Sequence, residues 1–178
     1  MKNILIRDLN MYKLKVQADV SWLFLLKHIL YCLIYFPGFA CVFMFRVNNF
    51  LYRKNIFGYK LMGVLRHYIF SNDISFKINV GPGFRIVHVT DIVIGSNAII
   101  GSNVTILNGV SIGSSGSGDN KMPKIGSNVF IGTGSKLIGD IKIGDNSFIG
   151  ALCFCNKSVP ASSLAVGNPV IIKNNYKI

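Results

Sequence analysis

Residues 94–113, IGSNAIIGSNVTILNGVSIG, and residues 125–150, IGSNVFIGTGSKLIGDIKIGDNSFIG, carry an aliphatic side chain at every sixth position. These side chains belong to Ile94, Ile100, Ile106, Ile112, Ile125, Ile131, Leu137, Ile143 and Ile149. A six-residue period is typical of a parallel β-helix, in which each hexapeptide supplies one short strand and one turn. Three hexapeptides then form one triangular coil with the aliphatic side chains inside. Glycine follows most of these positions, and we expect turn glycines to take positive φ where it is needed.

The period also extends upstream of this stretch. Val80 and Ile86 continue it in a shifted phase. The β-helix is therefore predicted to cover residues 74–173, with residues 174–178 as a C-terminal tail.

One interruption divides the repeat. Between Ile112 and Ile125 the spacing is thirteen residues instead of six, and the excess holds small polar residues with no aliphatic side chain to bury. We predict a loop at residues 114–123. Loops on a rigid scaffold often carry binding residues, although a tolerated insertion is the alternative.

The N-terminal part, residues 1–73, has a different composition, with the only tryptophan and most of the aromatic residues. The apolar stretch from Trp22 to Phe45 is interrupted by Pro37, which predicts two short helices instead of one bilayer-spanning helix. Residues 46–66 mix basic with apolar residues and are predicted to form a basic amphipathic helical segment.

Two roles remain open for residues 22–66. Their apolar surface could pack on the rest of the molecule or on sister subunits. Alternatively, it could make a peripheral membrane contact, in which basic residues meet anionic lipid.

Composition restricts the chemistry. The chain has 178 residues, a formal net charge of +12 and seven acidic residues, all aspartate, so no glutamate can act as base or metal ligand. Its three histidines are too few for a metal site built on several repeats, and we predict no metal. The basic residues are spread over both halves without a base-stacking motif, so no nucleic acid is predicted. The cysteines lack CxxC spacing and no cleavable leader is evident, which predicts a cytoplasmic location.

Two cysteines fall within the repeat. We expect Cys153 and Cys155 to be packing thiols whose side chains lie on opposite faces of a strand.

Three segments resemble serine acetyltransferases. They are HVTDIVIG at 88–95, ILNGVSIG at 106–113 and PKIG at 123–126. The short helical front looks more like the colanic-acid and capsular polysaccharide O-acetyltransferase branch. The resemblance implies a mostly β fold, a left-handed parallel β-helix preceded by a short α-helical region. It also implies acetyl-CoA as co-substrate and a homotrimer with active sites between neighbouring chains.

The resemblance also implies roles for residues. His88 would be the general base, since a neutral imidazole can take a proton from a hydroxyl near pH 7. Backbone amides at Gly113 and Ser114 would stabilise the oxyanion. Acceptor contacts are predicted at Asp91, Asp119, Asn120 and Lys121. Acetyl-CoA contacts are predicted at Thr133 and Ala151 along a groove, with Lys157 and Lys173 at the phosphates.

Departures from the family motif guide the choice of acceptor. Val87 replaces an aspartate, Met122 replaces the second histidine and Lys121 replaces a carboxylate-holding arginine. We therefore expect transfer to a sugar hydroxyl of a surface polysaccharide or its lipid-linked precursor, in a ternary complex. The alternatives are serine O-acetylation and a non-catalytic scaffold at a membrane surface, whereas a zinc carbonic anhydrase is disfavoured because only His88 lies in the repeats.

Overall fold

A computed structural model describes residues 1–116 and 120–176. Four helices come first: α1 (Lys2–Asn10), α2 (Trp22–Tyr35), α3 (Pro37–Arg53) and α4 (Tyr59–Phe70). The Ser21 side chain caps α2 by accepting from the Phe24 amide. Pro37 opens α3, where its missing N–H costs nothing, and Phe36 before it is extended. The predicted division into two helices at Pro37 is confirmed.

The predicted helical segment at residues 46–66 is divided between two helices. Helix α3 ends at Arg53, and Gly58 with φ of 102° separates it from α4. Arg46 and Arg66 are also buried, so they do not belong to an exposed basic face. Within the described residues, no helix is both long and apolar enough to cross a bilayer.

In the described part of the chain, fifteen short strands follow the helices. Sheet A contains β1 (Asp73–Ile74), β4 (Val93–Ile94), β7 (Ser111–Gly113), β10 (Lys136–Ile138) and β13 (Phe154–Cys155). Sheet B contains β2 (Asn79–Val80), β5 (Ile99–Ile100), β8 (Lys124–Ile125) and β11 (Lys142–Ile143). Sheet C contains β3 (Arg85–Ile86), β6 (Thr105–Ile106), β9 (Phe130–Ile131), β12 (Phe148–Ile149), β14 (Leu164–Val166) and β15 (Ile171–Lys173).

The sheet order makes the strands a three-sided parallel β-helix. The chain visits sheets A, B and C in turn, and each strand pairs in parallel with the strand one coil later. The repeat residues align in register, as Ile94 with Ile112 and Ile112 with Leu137. Only β15 runs antiparallel, against β14. The aliphatic side chains predicted to point inward are buried, each stabilising the fold by about 1.5–3 kcal/mol.

Turn glycines such as Gly109 and Gly134 take positive φ as expected, whereas the glycines that follow the aliphatic residues have another purpose. Gly101 and Gly126 are absent from the positive-φ positions. Instead they allow close stacking, because a Cβ on Gly101 would lie 2.6 Å from the Gly126 carbonyl oxygen. The coils therefore need small residues here for spacing, whereas asparagine supplies much of the positive φ.

Those asparagines form a ladder at the corner between sheets B and C. Asn103, Asn128 and Asn146 have φ between 56° and 57°. Asn103 Nδ2 donates to Asn128 Oδ1 at 3.0 Å, and Asn128 Nδ2 donates to Asn146 Oδ1 at 3.0 Å. Arg7 of α1 donates to Asn103 Oδ1, which joins the helices to the ladder.

A buried ion pair fixes the helices to the first coil. The Asp8 carboxylate accepts from Arg46 and from the backbone amides of Gly83 and Phe84 at 2.8 and 2.9 Å. Arg46 also donates to the carbonyl oxygens of Val80 and Gly81. Because the charged groups of Asp8 and Arg46 both have hydrogen-bond partners in the first coil, they hold α1 and α3 in one position on the end of the prism.

Gly38 marks the closest approach of α3 to the prism, and it gives a stability prediction. A Cβ there would collide with the backbone carbonyl of Ile86, which cannot move without breaking the coil. We expect Gly38→Ala to lower the free energy of unfolding by about 1–3 kcal/mol, as for other overpacked sites. Urea unfolding followed by circular dichroism measures this change.

Gly63 of α4 provides the matched control. The nearest atoms to a Cβ there would belong to side chains and not to the backbone, namely the Asn48 amide at 3.2 Å and the Phe76 ring at 3.5 Å. Gly63→Ala should change stability little or raise it slightly, because alanine favours helix. Equal losses in the two variants would show that the Ile86 contact is not the cause.

Candidate active site

His88 lies at the corner of the prism where sheet C passes into sheet A. From Ile86 to Ile94 the spacing is eight residues, two more than the repeat, and His88 falls in this longer turn. Its side chain is exposed. The imidazole therefore projects from the scaffold, where a substrate hydroxyl can reach it.

Backbone hydrogen bonds stack this turn with its counterparts in other coils. We call the turns at residues 87–92, 107–110, 132–135 and 150–153 the C–A corner. Along it, the Gly109 amide donates to Thr90, Gly134 to Asn108 and Leu152 to Thr133. Each step advances about 4.8 Å, the distance between paired strands. The C–A corner is therefore a rigid column with His88 near one end.

Three further predicted site residues lie on the same column. Asp91 follows His88 in a turn with φ of 58°, and its amide donates to the Ser71 carbonyl at 2.9 Å. Thr133 lies about 10 Å further along the axis and Ala151 about 14 Å, two and three coils away. The structure thus brings His88, Asp91, Thr133 and Ala151 to one edge, where an extended ligand could run along the coils.

The predicted loop residues lie at a different corner. Gly113 ends β7 and Ser114 follows it, where sheet A gives way to sheet B. Asn120 and Lys121 lie before β8 at this A–B corner, while Asp119 lies outside the described residues. Sheet A separates this corner from His88, so a single chain does not bring His88 and the loop together.

The two predicted phosphate contacts are not near each other. Lys157 follows β13 at the A–B corner of the last coil. Lys173 ends β15 and pairs with Leu164 on sheet C. Neither lysine lies on the C–A corner of its own chain.

Sequence reasoning missed two polar residues at the C–A corner. Asn108 Oδ1 accepts from Thr133 Oγ1 at 3.2 Å. Lys136 Nζ donates to the Gly109 carbonyl at 2.7 Å and to Ser111 Oγ at 3.0 Å, which places a positive charge beside the column. Only the register between coils reveals these contacts, because the partners are at least 25 residues apart.

Packing explains two of the departures from the family motif. The Met122 side chain packs on the prism core, so close to Gly95 that a Cβ there would collide with the end of the methionine side chain. Lys121 pairs with Asp140 at 3.3 Å. Met122 therefore anchors the loop to the scaffold, whereas Lys121 keeps its charge at the exposed surface.

A cleft of about 730 Å³ lies between α4 and sheet A. Its lining includes His67, Asp73, Ser75 and Ser96 but not His88. His88 and this cleft are therefore separate features of the chain.

Burial determines which way the two cysteines of the repeat face. Cys153 and Cys155 are fully buried, but both face the interior, so the expectation of opposite faces is wrong. Residues two apart in a strand share a face. Among the residues the structure describes, no three His, Cys, Asp or Glu side chains are grouped to hold a metal ion.

Thiol reactivity tests this burial. Desolvation raises the pKa of the Cys32 and Cys153 thiols to about 11, and burial also raises the pKa of Cys41 and Cys155. At pH 8, well below 11, these thiols stay protonated, and only the thiolate reacts quickly. We expect no cysteine to react with a disulfide reagent within minutes in the folded protein. All four should react after unfolding, and rapid labelling of the folded protein would contradict their burial.

The comparisons with known proteins agree with this geometry. A family model described as "Bacterial transferase hexapeptide (six repeats)" matches residues 122–157. The serine acetyltransferase of Buchnera aphidicola is 36% identical over 156 residues, covering 85% of this chain and 59% of that protein. The chain thus spans little more than half the length of this curated relative.

Two solved structures extend the likeness to nearly the whole chain. Soybean serine acetyltransferase complexed with serine is 32% identical with a TM-score of 0.80, covering 96% of this chain and 68% of that one. Serine acetyltransferase from Brucella abortus in complex with coenzyme A is 28% identical with a TM-score of 0.82, covering 98% and 68%.

These relatives overturn the predicted acceptor. Each is named a serine acetyltransferase, so the expected transfer to a polysaccharide sugar is wrong and the alternative reading is better supported. The resemblance of the helical front to the polysaccharide branch is not supported for the same reason. By its repeats, its coil architecture and its likeness to these proteins, the chain belongs to the hexapeptide-repeat acyltransferases of the serine acetyltransferase type.

Proposed function

We propose that this chain transfers the acetyl group of acetyl-CoA to the hydroxyl of serine, with His88 as the general base. The observation that carries the proposal is the likeness to a serine-bound serine acetyltransferase over 96% of the chain. The exposed position of His88 on the C–A corner supports it. A coenzyme A complex among the structural neighbours supports acetyl-CoA as the co-substrate.

The proposed reaction is a direct transfer in a ternary complex. One imidazole nitrogen of His88 takes the proton of the serine hydroxyl as its oxygen attacks the thioester carbonyl. The tetrahedral intermediate places a negative charge on the carbonyl oxygen, for which the amides of Gly113 and Ser114 are our candidate donors. The C–S bond then breaks, and the departing coenzyme A thiolate receives the proton from His88.

The separation of His88 from the loop favours an assembly. Because sheet A lies between the two corners, a donor at Ser114 can reach His88 only from another chain. We propose a homotrimer of left-handed coils, in which the C–A corner of one chain faces the A–B corner of its neighbour. Each site then takes its base from one chain and its loop, with Asn120 and Lys121, from the next.

The trimer also gives the cofactor residues a consistent arrangement. Thr133 and Ala151 would line the groove for the pantetheine arm on one chain. Lys157, at the A–B corner of a neighbouring chain, would then come near the same groove, whereas Lys173 would approach from sheet C. An active, stable monomer in light scattering would contradict this assembly.

Thiol release provides the test of the activity. The full chain is incubated with acetyl-CoA and serine, and free coenzyme A is measured with a disulfide reagent. The buried cysteines should give little background. Glycine, which lacks the hydroxyl, is the matched control acceptor. Release that depends on serine supports the proposal, and release no faster with serine than with glycine overturns it.

A further inference from the structure

Helix α2 presents a continuous apolar stripe to the outside. Leu25, Ile29 and Cys32 face the protein interior and are buried. On the opposite side, a stripe about one third of the helix circumference wide is exposed at 3.6-residue spacing. This stripe consists of Trp22, Leu23, Leu26, Leu30 and Ile34. Leu23 and Ile34 are 79% and 73% exposed. Helix α2 is therefore apolar on its exposed side as well as on its buried side, and such a helix usually buries both sides, so we expect the α2 stripe to have a partner.

Most of the charges around the α2 stripe are positive, and Asp19 is the acidic residue next to it in the sequence. Lys27 borders the stripe on α2 itself and lines a groove with Leu14 of the preceding loop. That loop also carries the exposed residues Lys13 and Lys15. Between Asp19 and Asp73 the sequence contains no acidic residue at all.

We propose that α2 lies flat on an anionic lipid bilayer, with the α2 stripe in the interface and Lys13, Lys15 and Lys27 among the headgroups. An apolar helix face flanked by lysines is the arrangement that binds such surfaces. Trp22 and the exposed Tyr31 and Tyr35 suit the boundary between headgroups and acyl chains. The proposal does not depend on the acetyl-transfer activity.

A second copy of the chain is the competing occupant, and charge disfavours it. Two α2 stripes brought face to face would place two sets of lysines together, with only Asp19 nearby to offset them. The proposed lipid contact is also smaller than the region at residues 22–66 for which the sequence predicted a possible membrane contact. Arg46 and Arg66 are buried and bond to groups of the protein, so they cannot meet lipid.

Trp22 allows a direct test, because it is the only tryptophan of the chain. The full-length protein is mixed with vesicles of phosphatidylglycerol and phosphatidylcholine, or of phosphatidylcholine alone. We expect a blue shift of the emission and co-sedimentation only with the anionic vesicles, weakening as salt increases. Lys27→Gln should reduce vesicle binding about fivefold, the factor that corresponds to one basic residue near the surface.

Substitutions within the α2 stripe distinguish a lipid bilayer from a second copy of the chain as its partner. Leu23→Gln with Leu30→Gln should lower vesicle binding by more than about tenfold, with an unchanged circular dichroism spectrum. Ile171→Gln, on exposed β15, is the matched control and should bind like the parent protein. Equal binding to neutral vesicles, or no binding, overturns the proposal. So does a double variant that changes the oligomeric mass without lipid, since that result assigns the stripe to a subunit interface.

Discussion

His88→Ala should lower the rate of coenzyme A release with serine by at least about 100-fold, the usual contribution of a general base. An unactivated hydroxyl is a poor nucleophile near neutral pH, and His88 is the single histidine within the repeats. Because the side chain is exposed, its loss should leave folding intact. Steady-state kinetics with both substrates saturating measures the change.

His67→Ala is the matched control for this variant. His67 lies on α4, its ring bonds to the Asn72 carbonyl oxygen, and it has no part in the proposed mechanism. It should retain nearly full turnover. If His88→Ala keeps activity within a few fold of the parent, another group is the base and our assignment is incorrect.

The second large effect is expected on stability. Asp8→Ala leaves the Arg46 guanidinium buried without its carboxylate and leaves the Gly83 and Phe84 amides unpartnered. Breaking a buried pair in this way costs about 3–5 kcal/mol. We expect Asp8→Ala to lower the free energy of unfolding by that amount in urea titrations.

The pair between Lys121 and Asp140 provides the comparison within the same chain. Both side chains are more than half exposed, and the two charged atoms lie 3.3 Å apart. Because exposed pairs are worth at most about 1 kcal/mol, Asp140→Ala should change stability only slightly. Similar losses in Asp8→Ala and Asp140→Ala would mean that the buried pair does not anchor the helices.

Sequence periodicity was enough to predict the β-helix, because one buried aliphatic residue per hexapeptide both sets the register and fills the core. The packing of the four N-terminal helices on the prism was harder to predict. Asp8 and Arg46 are 38 residues apart, and nothing local distinguishes Arg46 from the solvent-exposed Arg53. The pattern of basic residues therefore predicted an exposed face where the fold buries a charge.

The site shows the same division. The eight-residue spacing from Ile86 to Ile94 is visible in the sequence, and it marks the turn that projects His88. The acceptor could not be read from the loop, because Met122 and Lys121 serve the packing against Gly95 and the pairing with Asp140. A change at a motif position can therefore reflect the scaffold alone.

The asparagine ladder gives the prism a direction. Each amide nitrogen points to the next coil, so an unused oxygen remains on Asn103 and an unused nitrogen on Asn146. The starting end thus takes a donor, which Arg7 supplies, and at the finishing end the exposed Asn146 nitrogen can donate to water. Whole coils could be gained or lost between them without altering either requirement. Evolution could therefore vary the length of this protein in steps of one coil while keeping both ends unchanged.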